Sequence, residues 1–151
     1  IGAIFPEHQG NAMSKKSVSP IELAKRFLDG VEKRNLGAIE AVIAPHAKFW
    51  TNVAQADMDR VTRLSRIALE FRLFKTFTFE DTRIGDFGTG FVVRAQARGS
   101  LGDGQQFAFP LCIVGEVDNG AIVRLEEYFD PSAVAPILGA MAAEMGAAAN
   151  R

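Results

Sequence analysis

The hydrophobic period changes once along this chain, and that change fixes what the chain can fold into. Up to Phe74 apolar residues recur every three or four positions, and from Thr76 to Phe129 they recur every second position. Helices first and a long run of strands afterwards spell an α+β domain, because each helix can bury its apolar stripe only against the sheet.

Ser19-Pro20-Ile21-Glu22 supplies an N-cap serine, a proline at the first helical position and a glutamate placed to return to the cap, so a helix starts here. Ala24, Phe27, Leu28 and Val31 form its inner stripe, and Lys25, Arg26, Asp29 and Lys33 its wet side. After Asn35-Leu36-Gly37 a second helix is expected over 38–44, stopped by Pro45, and then a short strand over 48–53. Between Asp57 and Phe74 a third helix places Val61, Leu64, Ile67, Ala68, Phe71 and Phe74 inward, and assigns Arg60, Arg63 and Arg66 to a solvated face. Four strands follow, over 76–84, 90–101, 105–117 and 121–129. Gly102-Asp103-Gly104 and Asp118-Asn119-Gly120 join the last three into an antiparallel meander. Asp130-Pro131 ends the last strand and is placed to cap a short C-terminal helix through Val134, Ile137, Leu138 and Met141.

With 151 residues, 48% of them hydrophobic, the chain is read as one domain over 13–151. Residues 1–12, ending in Gly10-Asn11-Ala12 before Met13, read as an expression leader. A net charge of -1 provides no field for nucleic acid or an anionic membrane, and no apolar run is long enough for a membrane span. The lone Cys112 excludes an internal disulfide framework and a cysteine-rich zinc site. His46 and His8 have no partners at ligand spacing, so no metal or organic cofactor is expected, and a cytoplasmic location follows as the default.

Strand parity then points to chemistry. Val123, Leu125, Glu127 and Phe129 share one face of the last strand, which sets the Glu127 carboxylate among apolar neighbours. Arg94 and Gln96 share a face of the second long strand. Two arrangements satisfy this parity. Either Arg94 faces in and pairs with Glu127, with Gln96 adding a hydrogen bond, or the Arg94 row is the wet outer face and Glu127 reaches solvent. Trp50 and Asn52 alternate onto one face of the first strand, and Cys112 reads as a core residue.

The order of elements, the Asn35-Leu36-Gly37 break and the ending Gly120-Ala121-Ile122-Val123-Arg124-Leu125-Glu126-Glu127-Tyr128-Phe129-Asp130 resemble the NTF2-like superfamily, which includes SnoaL-like and ketosteroid-isomerase-like proteins. The resemblance runs from Ser19 to Leu138 and implies a cone of three N-terminal helices on a curved, mainly antiparallel sheet. Within it the chain looks most like the limonene-1,2-epoxide hydrolases, whose last hairpin lies on residues 104–130. That likeness implies Glu127 as the water-activating base, Arg94 as the bridging arginine and Asn52 as the water holder. Trp50 stands where those enzymes have a tyrosine, and Gln96 stands at the acid position but cannot deliver a proton. The ketosteroid isomerase groups fall near Thr51, Phe27 and Cys112, and none of them is kept. A late histidine typical of polyketide-cyclase-like members has no counterpart.

The expectation is therefore a cofactor-free enzyme on a small hydrophobic molecule, epoxide-hydrolase-like or isomerase- and cyclase-like, with Phe27, Trp50, Phe74, Leu125 and Cys112 around its pocket. Its rival is a non-catalytic cone in which Glu127, Arg94 and Gln96 form a satisfied plug. A homodimer through the sheet is expected, across Arg124, Glu126 and Tyr128 and the row Phe107, Phe109, Leu111 and Ile113.

Overall fold

The computed structural model describes residues 17–151. The leader expected at 1–12, the start expected at Met13 and His8 lie outside the described residues. The order is α1 (Pro20–Glu32), α2 (Leu36–Val42), β1 (Ile43–Thr51), β2 (Met58–Asp59), α3 (Arg60–Leu73), β3 (Phe74–Asp86), β4 (Gly90–Leu101), β5 (Gln106–Asp118), β6 (Ala121–Phe129) and α4 (Ala135–Ala149). Among the described residues six strands form one sheet, β2-β1-β6-β5-β4-β3, in which the β1–β6 pair alone is parallel. No described helix is long and apolar enough to cross a membrane.

Local chemistry explains the element ends. Ser19 Oγ accepts from the Glu22 N–H at 3.2 Å and Pro20 occupies the first helical turn. Glu22 itself pairs with Arg26 at 2.8 Å and does not return to the cap. Asn35 caps α2 through Ala38, and Asp59, in the two-residue strand that the sequence did not signal, caps α3 through Thr62. Pro45 lies inside β1, after a helix that has already stopped at Val42. Asp130 does not cap α4. Its carboxylate accepts from the Ser132 N–H and hydroxyl in the preceding turn, bonds that lower its pKa, and Val134, at the N-cap of α4, offers no side-chain cap. The β5–β6 turn uses Asn119 and Gly120 at φ 49° and 73°, the left-handed pair that matches hairpin twist.

Inward parity follows the more apolar row of each strand. In β4, Phe91, Val93, Ala95 and Ala97 are buried, while Val92, Arg94 and Arg98 are exposed and Gln96 half-buried on the other face. In β5 the row Phe107, Phe109, Leu111 and Ile113 is buried. This row expected on the outer surface of the sheet lies in the core, because four large apolar side chains gain more from burial than the alternate row Ala108, Pro110, Cys112 and Val114. Phe91 is wholly buried opposite Gly115, and a Cβ there would clash with the Phe91 ring. Gly115→Ala is expected to lower stability by about 1–3 kcal/mol through this overpacking, read as a lower urea midpoint.

Candidate functional site

Helices α1, α3 and α4 and the inner face of the sheet leave a cavity of about 190 Å³. Most of its wall is apolar. Phe27 and Val31 come from α1, Ile67 and Phe71 from α3, and Ile137, Leu138 and Met141 from α4. Phe77 and Phe79 of β3 and Phe109 and Phe129 of β5 and β6 supply aromatic surface. The rings pack on one another: Phe74 on Phe77 and Phe107 at 5.4 and 5.1 Å, and Phe109 on Phe129 at 5.9 Å.

Into this wall the chain inserts an ion chain, Glu127–Arg63–Glu70. Glu127 projects from β6 beside Leu125 and Phe129, as its parity requires, and stands next to Thr51 of β1. Arg63 Nη2 lies 3.3 and 3.4 Å from the two Glu127 oxygens, and Arg63 Nη1 donates to Glu70 Oε1 at 2.9 Å. The three side chains retain only 12% (Arg63), 13% (Glu127) and 22% (Glu70) of their exposure. Burial works to lower the Arg63 pKa, but the charges of Glu70 and Glu127 and the hydrogen bonds to both outweigh it and raise the pKa. The guanidinium is a permanent cation on the cavity wall. Its five N–H donors reach the two carboxylates through two nitrogens, so donors remain for a further oxygen.

The sequence places Glu127 correctly and its partner wrongly. Arg94 is exposed on the outer face, in register with Cys112 and Tyr128, and does not meet Glu127. Gln96 is on that same side, and a shallow outer groove collects Arg94, Gln96, Cys112 and Tyr128. The reason is the β4 parity: turning Arg94 inward would expose Phe91, Val93, Ala95 and Ala97. Cys112 is half-buried on the outer row and is neither a core nor a cavity residue. Leu125 is fully buried beneath the cavity and does not border it, whereas Phe27 and Phe74 do. Trp50 borders the cavity, yet its ring packs on Tyr128 at 5.3 Å, and its strand position matches Glu126 on the outer face.

Asn52 is a clamp and does not border the cavity. Its side-chain amide donates to the Phe129 carbonyl at 2.8 Å and accepts from the Phe129 N–H at 3.1 Å, while its own N–H donates to the Glu127 carbonyl at 3.1 Å. These bonds lock the end of β1 to the strand that carries Glu127. Asn52→Ala removes both side-chain bonds from a half-buried site, and a loss of about 1–3 kcal/mol is expected in a denaturant titration.

Arg63 and Glu70 are the residues that sequence reasoning missed. Arg63, Ile67, Glu70 and Phe74 are spaced four, three and four apart, which is one helical face, and Ile67 and Phe74 mark that face as inward. Val61, expected inside, is 73% exposed. An opposite charge pair riding on the apolar stripe was the available signal. Among the described residues no three His, Cys, Asp or Glu side chains gather to hold a metal ion.

The open six-stranded sheet with four helices is the NTF2-like α+β fold, and solved structures share it. A candidate polyketide cyclase from Pseudomonas putida superposes with a TM-score of 0.70 at 13% identity, covering 77% of this chain and 95% of that one. IdmH, a candidate polyketide cyclase from Streptomyces antibioticus, gives 0.69 at 19% identity, with 81% and 99% covered. AclR, a candidate hydroxylase from Streptomyces galilaeus, gives 0.69 at 13%, with 81% and 87% covered. Residues 24–125 match the SnoaL-like domain family, and the chain belongs to it. No curated protein matches the sequence significantly.

Proposed function

We propose that this SnoaL-like protein is a cofactor-free acid–base enzyme that moves protons on a small, mainly apolar carbonyl compound, in the manner of an isomerase or cyclase. The observation that carries this reading is the Glu127–Arg63–Glu70 chain set into an otherwise apolar, phenylalanine-rich cavity. Glu127 is the base. It stands on a central strand, and its contacts to Arg63 are longer than those of Glu70, which leaves it the freer carboxylate. It takes a proton from the carbon beside the carbonyl, and the C–H electron pair passes to the carbonyl oxygen, which becomes an enolate. Spare N–H groups of Arg63 stabilise that oxygen. The proton returns at another carbon in an isomerisation; in a cyclisation the enolate carbon bonds to a second carbonyl carbon, whose π pair moves to its oxygen, and that oxygen takes the proton back from Glu127.

Epoxide hydrolysis remains the second reading, because the same carboxylate can activate a water and because two carboxylates flank one arginine. In it Glu70, not Gln96, is the second carboxyl group. One assay separates the readings: incubation with β-tetralone in deuterium oxide, followed by NMR, in parallel with styrene oxide and detection of its diol. Protein-dependent deuterium uptake beside the carbonyl is the expected result. Diol without uptake moves the assignment to hydrolysis, and neither product overturns proton transfer in favour of a non-catalytic cone with a satisfied ion plug.

A further inference from the structure

Among the described residues the cavity wall carries three guanidinium groups, Arg34, Arg63 and Arg66, against two carboxylates, Glu70 and Glu127. Each cation is answered differently. Arg63 is held between both carboxylates. Arg34 donates to the Lys75 carbonyl at 2.8 Å and the Phe71 carbonyl at 3.4 Å, dipoles that position it without cancelling its charge. Arg66 borders the cavity, is exposed, and makes no ion pair or hydrogen bond among the described residues. Glu70 stands one helical turn from Arg66, but its Oε1 accepts from Arg63 at 2.9 Å, and no ion pair joins Glu70 to Arg66. Among the described residues a single positive charge is left over beside an apolar interior, in a chain whose net charge is -1 and which therefore has no general attraction for anions.

We infer that the ligand is an apolar carboxylic acid, its body among the phenylalanines and its carboxylate bound at the rim by Arg66, with Arg34 adding to the field. This deepens the proposed function and rests on its reading of the cavity as the binding site. A guanidinium presents a planar fork that suits a carboxylate, and one surplus charge calls for a monoanion. The interior suits a body of one or two rings, since a cavity of about 150 Å³ already admits benzene.

Calorimetric titration of the full chain with phenylbutyrate and with its neutral amide, phenylbutyramide, tests the inference without requiring turnover. Wild-type protein is expected to bind the acid about fivefold more tightly at low salt, as befits a partly exposed ion pair, and this preference should shrink with added salt. In Arg66→Gln the preference should vanish while the amide binds as before, and Arg66→Lys should keep part of it. Equal binding of acid and amide by the wild type overturns the carboxylate while leaving the cavity and the proton-transfer reading in place. A preference that survives in Arg66→Gln overturns Arg66 as its source. Binding of neither probe removes the cavity as a ligand site, and the inference with it.

Discussion

Arg63→Met is expected to cost about 3–5 kcal/mol of folding stability at neutral pH, seen as a fall in the urea midpoint. The substitution keeps much of the side-chain volume but leaves Glu70 and Glu127, both largely withdrawn from water, without their shared counter-ion. Arg63→Lys, which keeps the charge but not the two-nitrogen fork, should lose less. If Arg63→Met is as stable as wild type at neutral pH, the ion chain holds nothing together.

Glu127→Gln is expected to reduce deuterium uptake by β-tetralone roughly a hundred- to ten-thousand-fold, the range for loss of a positioned base. The amide has nearly the same shape and its oxygen can still accept from Arg63, so the cavity and the affinity for the neutral ketone should persist. The fall should appear in kcat with KM nearly constant. Glu127→Asp keeps a carboxylate but withdraws it by one methylene, and should recover part of the rate. Undiminished uptake in Glu127→Gln would remove this residue as the base.

The helices and strands were legible because their signals are local. Ser19-Pro20 starts α1, and Asn119-Gly120 fits only a tight hairpin; alternating rows from Phe91 to Phe129 mark the sheet. Glu127 was legible for the same reason, since its neighbours Leu125 and Phe129 fix its face. Its partner was not. Parity groups Arg94 with Gln96 but does not choose a side, and the choice is made by the burial of Phe91, Val93, Ala95 and Ala97 on the opposite row. Asn52 was misplaced because strand alternation ends at Thr51, where the chain turns and the amide reaches the Phe129 backbone. Residue type alone assigns Arg63 to solvent, although its four-residue spacing from buried Ile67 puts it on the inner face of α3. Charge alone misleads where a second charge waits across the cavity.

Glu126 and Glu127 are adjacent, and β6 sends them to opposite sides of the sheet. Glu126 is tied to Arg124 at 2.7 Å and to the Tyr128 hydroxyl at 2.8 Å, bonds that lower its pKa and, in turn, raise those of Arg124 and Tyr128. Glu127 faces Arg63. A slip of β6 by one residue would exchange the two glutamates, sending Arg124 and Tyr128 into the apolar interior along with Glu126. The outer triad and the Asn52 clamp at Phe129 thus act as a registration device: they choose which of two chemically identical carboxylates enters the cavity, although none of their own side chains borders it.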